Sequence, residues 1–383
     1  MILGGGEADG TGMTLEGDDL AIDRALASLY DPAGKGEQRE KGKDRAGSLS
    51  GSSPNVARWL GDIRTYFPSS VVKVLQKDAL EKLNLRQMLL EPELLGAMEP
   101  DVHLVSTLIS LKNVIPSKTR DTARQVVRTV VDQLMKKLAN PTRQAIIGSL
   151  NRAARNRRPK HNEIDWNRTI RANLKHYQPD YKTIIPETRI GYGRKRSSLR
   201  DVVLCIDQSG SMASSVVYAG IFGAVMASLP AVSTRMVVFD TSVVDLTDEL
   251  NDPVDLLFGV QLGGGTDINK ALAYCQEHIR RPAETIIILI SDLYEGGNRE
   301  EMLKRIARIS VSGAQMITLL ALSDQGSPMY DHANAEVIAS LDIPVFACTP
   351  NLFPSLMAAA INRQDIGQWA AANQISTSRG QVN

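Results

Sequence analysis

Short apolar runs punctuate the second half of the chain. Val202-Val203-Leu204-Cys205-Ile206 and Thr285-Ile286-Ile287-Ile288-Leu289-Ile290 have strand length and are rich in β-branched residues. Runs of this kind, apolar at every position, read as strands buried on both faces. Arg235 to Phe239, Val243 to Leu246, Ala314 to Leu322 and Ile343 to Ala347 are strand-like as well. Helical spacing fills the intervals, over Met212 to Leu229, Ile268 to Ile279, Arg299 to Ile309 and Ala333 to Ala339, and Pro350 to Ile361 closes the region. Phe239 and Val243 are close enough for a hairpin, which makes one of those strands an antiparallel edge. Buried strands alternating with helices predict an α/β fold, a doubly wound and mostly parallel sheet.

The first half reads differently. Val56 to Tyr66, Ser70 to Leu83, Asp101 to Leu111 and Lys118 to Leu138 all carry helical spacing, and the last has a broad face of Val126, Val127, Val130, Val131, Leu134, Met135 and Leu138. Asn140-Pro141 is expected to end that helix and Thr142 to Ala153 to begin another. No fixed period recurs, which argues against a solenoid. Residues 1–53 contain 11 glycines, with one short helix predicted over Asp18 to Tyr30. Gly34 to Ser53 reads as a linker, too polar to order itself. The predicted organisation is a flexible segment (1–53), a helical domain (54–151), a basic collar (152–200), the α/β domain (201–362) and a tail (363–383).

Charge sharpens this division. The formal net charge is only +1, yet Arg152 to Arg200 holds 14 Lys/Arg against 4 Asp/Glu, and Asp201 to Asn362 holds 8 against 19. The collar interleaves Trp166, Tyr177, Tyr181 and Tyr192 with its basic residues, a pattern open to nucleic-acid binding or to docking on the acidic domain. Cys205, Cys275 and Cys348 lie in apolar patterns and read as buried thiols, far apart. The five histidines show no zinc-ligand spacing. No uninterrupted apolar stretch approaches 18 residues, and the first residues lack the pattern of a secretion signal. A cytoplasmic protein with no membrane partner is the expectation.

The candidate chemistry begins at Asp207-Gln208-Ser209-Gly210-Ser211, on the turn between a buried strand and a helix. One carboxylate and two hydroxyls at alternate positions suit a hard cation such as Mg²⁺, which takes oxygen ligands and keeps several waters. Ser and Asp are also ordinary helix-capping residues, so this turn alone is ambiguous. Two further loops share the context: Gly263-Gly264-Gly265-Thr266-Asp267 before a helix, and Ser291-Asp292 at the end of a strand. Asp267 reads as a helix N-cap, and Glu295 and Asp240 as loop or strand-end acids near the same edge.

Three such loops in this order resemble the metal-ion-dependent adhesion site of von Willebrand factor A (VWA) domains. Val56-Ala57-Arg58-Trp59-Leu60-Gly61-Asp62-Ile63-Arg64 and Ile164-Asp165-Trp166-Asn167-Arg168-Thr169-Ile170, with the Asp207 to Met212 turn, resemble bacterial CoxE-like VWA proteins over nearly the whole chain. The resemblance implies a metal set of Asp207, Ser209, Ser211, Thr266 and Asp292. Ser209 and Ser211 would bind Mg²⁺ (or Mn²⁺) directly, Thr266 directly or through water, and the two aspartates mainly through waters. It further implies a partner protein that supplies an acidic side chain, and an association with MoxR-type AAA+ ATPases as adaptor or co-chaperone.

The leading expectation is therefore a non-enzymatic, Mg²⁺-dependent protein-binding module. No His lies within the three loops to act as a general base. A metal-dependent phosphohydrolase would need an acid two residues after Asp207, where Ser209 stands. No Gly-x-x-x-x-Gly-Lys-Ser/Thr occurs, and neither a dinucleotide fingerprint nor a nucleophile elbow is complete. An RNA-binding protein built like the Ro autoantigen is the alternative that the collar motivates.

Overall fold

In the computed structural model the described residues are 17–30, 53–82, 89–152, 155–156, 164–192, 200–229, 232–261, 263–324 and 329–377. The linker read at 34–53 lies almost wholly outside them. The chain divides into two compact units, 1–130 and 131–383.

The first unit is helical: α1 (Asp18–Tyr30), α2 (Ser53–Tyr66), α3 (Ser69–Lys82), α4 (Pro92–Gly96), α5 (Val102–Leu111) and the start of α6 (Ser117–Arg152). Trp59, Leu60 and Ile63, one face of α2, are buried, and the Trp59 indole donates to the Ala25 carbonyl at 2.8 Å. Asp101 caps α5 by accepting from Leu104 N at 2.6 Å.

The helix break expected at Asn140-Pro141 does not occur. α6 runs through Pro141 as one helix of 36 residues and crosses the boundary between the two units. Proline removes one backbone donor from the ladder. The Thr142 hydroxyl donates to the Leu138 carbonyl at 2.7 Å in that turn, and Leu138 and Ile146 on either side are buried, so packing supports a continuous helix.

The collar carries α7 (Trp166–Ala172), capped by Asp165, and two short antiparallel ladders: β1 (Arg155–Asn156) with β4 (Gly191–Tyr192), and β2 (Tyr177–Gln178) with β3 (Thr183–Ile184). Its centre is polar. Buried Asn173 donates to the carbonyls of Thr169 and Thr188 at 2.7 Å each and accepts from Thr188 N at 3.1 Å. The Thr169 hydroxyl donates to the Ile190 carbonyl and accepts from Ile190 N, both at 3.0 Å.

The α/β part has the expected mostly parallel sheet, but its second strand begins at Val232 and not at Arg235, and a helix over Pro253–Gly259 was not foreseen. Its strands are β5 (Arg200–Asp207), β6 (Val232–Phe239), β7 (Val243–Asp245), β8 (Thr285–Ile290), β9 (Gln315–Leu322) and β10 (Val345–Cys348), ordered β10-β9-β8-β5-β6-β7. All pairings are parallel except β6 with β7. Helices α8 (Ala213–Ala227), α9 (Pro253–Gly259), α10 (Ile268–Glu277), α11 (Arg299–Val311), α12 (His332–Ser340) and α13 (Phe353–Ile361) connect the strands. On one sheet face Val203, Cys205, Val237 and Leu289 pack with Ile268, Leu272, Met302 and Ile338 of α10–α12. α8 serves the sheet as a fully internal helix, every residue from Ser215 to Met226 being buried. A side chain at Gly220 would meet Leu256 of α9 at 2.9 Å, so the small residue permits that close approach.

Two expectations change here. Cys205 and Cys275 are not far apart: strand β5 and helix α10 bring the two buried thiols into hydrogen-bonding contact, which with burial raises the Cys205 pKa well above its usual value. The stretch read as a tail from residue 363 includes a further helix, α14 (Ile366–Ala372), with Ile366 and Ala370 buried and Trp369 against Phe346 at 6.0 Å between ring centres.

Candidate metal centre

β5 lies between β6 and β8, so the chain leaves it in one direction and returns on the other side. The carboxyl ends of β5 and β8 flank the point where strand order reverses, the place where open α/β sheets bind ligands. Asp207 ends β5 and Ser291-Asp292 follows β8.

The Asp207 side chain is fully buried; its Oδ1 accepts from Ser209 N and its Oδ2 from the Ser291 hydroxyl, both at 2.8 Å. The hydroxyls of Ser209 and Ser211 stand 3.1 Å apart, and Ser211 donates to Asp292 Oδ2 at 2.6 Å. Asp207, Ser209, Ser211 and Asp292 thus form one connected cluster, with buried carboxylates beneath and the Ser211 hydroxyl exposed above. Thr266 lies on the adjoining loop, where its carbonyl accepts from Gly296 N at 2.8 Å. No hydrogen bond joins the Thr266 hydroxyl to the other four among the described residues.

Electrostatically the cluster is one-sided. No Lys, Arg or His among the described residues pairs with Asp207 or Asp292. Burial and the nearby Asp292 charge push the Asp207 pKa up to about 6, against the pull of donors from Ser209 and Ser291. Buried carboxylates without a counter-charge are costly. A divalent cation would supply that charge, and a set of carboxylate and hydroxyl oxygens fits Mg²⁺ or Mn²⁺. No group of three or more His, Cys, Asp or Glu is placed for a metal among the described residues, so this site depends on its serines.

Two residues outside the expected metal set, Gln208 and Ser291, hold it together. Buried Gln208 donates through its backbone N to the Phe239 carbonyl at 2.9 Å and accepts from Gly263 N at 3.1 Å. Its side-chain Oε1 accepts from Gln261 N at 3.0 Å, so one residue fixes both sides of the glycine loop. Ser291 orients Asp207 and also accepts from Leu293 N at 3.0 Å. Leu293 is buried with φ of 66°, a left-handed conformation unfavourable for leucine, just after Asp292.

Glu295 is more than a loop acid. Its Oε2 accepts from Ile268 N at 2.7 Å and its Oε1 from Gly297 N at 3.1 Å, tying the loop after β8 to the start of α10. Asp267 caps α10 by accepting from Lys270 N at 2.8 Å. Asp240 serves its own turn, accepting from Ser242 N at 2.6 Å and from the Ser242 hydroxyl at 2.7 Å.

Comparison with known proteins agrees with this architecture. Residues 135–357 match the family model described as VWA domain containing CoxE-like protein. The chain is 35% identical over 360 residues to the uncharacterized protein YehP of Escherichia coli K12, covering 94% of each chain. Among solved structures, BatB from Bacteroides thetaiotaomicron is similar at 15% identity and a TM-score of 0.32, over 45% of this chain and 99% of that one. The manganese-loaded TRAP protein of Plasmodium vivax is similar at 14% identity and a TM-score of 0.30, over 37% of this chain and 63% of that one.

Proposed function

Since the chain belongs to the family of VWA domain containing CoxE-like proteins, we propose that it is a non-enzymatic module that captures a partner protein through a divalent cation, Mg²⁺ by preference. A protein-interaction role is general to VWA domains; the cation dependence and the partner are the proposal. The observation that carries it is the pair of buried carboxylates, Asp207 and Asp292, facing two serine hydroxyls with no basic side chain between them. A bound cation supplies positive charge and an open coordination position that an acidic side chain of a partner fills. Ser209 and Ser211 present oxygen toward that position, Asp207 and Asp292 set the charge beneath it, and Thr266 approaches from the neighbouring loop. Gln208 and Glu295 fix the loops so that little ordering remains to be done on binding.

A MoxR-type AAA+ ATPase is the partner we propose, with this chain as its adaptor. A second reading has its own observation: Trp166, Tyr177 and Tyr181 are 48%, 51% and 76% exposed on a collar that also carries Arg168, Arg171, Lys175 and Lys182. Exposed aromatic rings among basic residues suit single-stranded RNA.

One experiment separates these readings, a pulldown from native lysate with Mg²⁺ or with EDTA, using the wild type and Asp207→Ala. An ATPase recovered only with Mg²⁺ and intact Asp207 supports the adaptor reading. The same proteins under all conditions would remove the metal from the capture step. RNA recovered regardless of Mg²⁺ and lost steeply with salt would favour the collar.

A further inference from the structure

We propose that the opposite edge of the sheet carries a second site, for a small phosphorylated molecule. A cavity of about 290 Å³ opens there, at the amino ends of β5, β6 and β8 and beside the end of α10. That is near the lower end of volumes typical of small-ligand pockets. It lies away from the carboxyl edge where such sheets ordinarily bind ligands, and its character is set by the side chains that line it.

Register explains why these residues meet. Asp201 pairs with Ser233 and Thr285 on the two neighbouring strands, and Val203 pairs with Arg235. Positions two apart on a strand share a face, so Asp201, Ser233, Arg235 and Thr285 project together. His278, Arg280 and Arg281, just past α10, complete the wall. Arg281 Nη2 contacts both oxygens of Asp201, at 3.0 and 2.9 Å. Arg235 pairs with Asp245, which also accepts from the Tyr274 hydroxyl at 2.7 Å. Arg280 has no acidic partner among the described residues. His278 is held by a hydrogen bond between Nδ1 and the Tyr274 carbonyl at 2.8 Å, which leaves Nε2 as its remaining polar atom.

Two of the three guanidiniums are neutralised by carboxylates and the third is not. The end of α10 contributes roughly half a negative charge at most, less than the charge Arg280 leaves over. The site therefore favours an anion. Guanidinium forks match the oxygens of a phosphate, and the Ser233 hydroxyl at the wall adds a neutral donor. The size of the cavity selects a phosphate monoester of a small molecule over a macromolecular chain.

Calorimetric titration of the full chain tests this, with inorganic phosphate and with ribose 5-phosphate at constant ionic strength. EDTA is kept present so that no cation at the other edge recruits the phosphate. Saturable binding is expected for both, tighter for the sugar phosphate. Arg280→Ala should weaken it about tenfold or more. Arg280 is exposed and outside the core, so its replacement leaves the fold in place, which circular dichroism verifies. Absence of saturable heat with either probe, or an unchanged affinity in Arg280→Ala, would overturn the proposal.

Discussion

Burial, together with the neighbouring Asp292 carboxylate, raises the Asp207 pKa from 3.8 to about 6, so the metal-free fold holds a proton there that the unfolded chain releases. A group raised in this way stabilises the fold fully below its unfolded value, and the contribution is lost as pH rises through the folded value. The window is therefore about pH 4 to 6, and the loss is essentially complete, on the order of 2–3 kcal/mol, by pH 7. Asp207→Asn keeps the shape and removes the charge. In EDTA at pH 7 the variant should be more stable than the wild type by about that amount, with the difference vanishing near pH 4; urea denaturation at the two pH values measures it. Equal stability at pH 7 would mean that the buried carboxylate is relieved by something other than a cation. Asp207, Ser209, Ser211 and Asp292 could be singled out from sequence because they stand at the end of a strand pattern or on the turn that follows one. The bracing roles of Gln208, Ser291 and Glu295 were not legible, since their partners are Gln261, Asp207 and Ile268, distant in the chain.

At the scale of elements, the strands of the six-stranded sheet were legible because burial on both faces leaves an unbroken apolar run, and β7 because a short turn separates it from β6; the two-residue strands of the collar, β1 to β4, were not, being too short to leave a pattern. α6 was not. A proline ordinarily marks a boundary, yet packing of Leu138 and Ile146 on either side outweighs the missing donor at Pro141. The loops of the site also depend on close backbone contact that no composition reveals. A Cβ on Gly296 would lie 2.8 Å from the Thr266 carbonyl oxygen, the acceptor of the Gly296 N–H itself. Gly296→Ala must push the Thr266 loop away from the loop after β8. We expect a loss of stability of ~1–3 kcal/mol and a fall in Mg²⁺ affinity of about tenfold or more, read by thermal denaturation and by titration. A variant with normal Mg²⁺ affinity would remove Thr266 from the metal set, leaving the other four.

Across the whole molecule, the metal set lies entirely in the unit spanning 131–383, while the core around Trp59, Leu60 and Ile63 belongs to the unit 1–130. The two share α6, a single helix whose hydrogen-bond ladder continues across the boundary at Val130–Val131. A ligand that binds only the folded state raises stability by RT ln(1 + [L]/Kd), about 2.7 kcal/mol at a hundredfold excess over Kd. For a unit of this size, that is a shift of roughly 5–10 °C. Scanning calorimetry should accordingly show two transitions, with excess Mg²⁺ raising the one that belongs to the α/β unit and leaving the other in place. Asp207→Ala should abolish the shift without merging the transitions. A single peak that moved as a whole with Mg²⁺ would show instead that α6 transmits the stabilisation, and that a cation at the carboxyl edge of the sheet is felt throughout the helical unit.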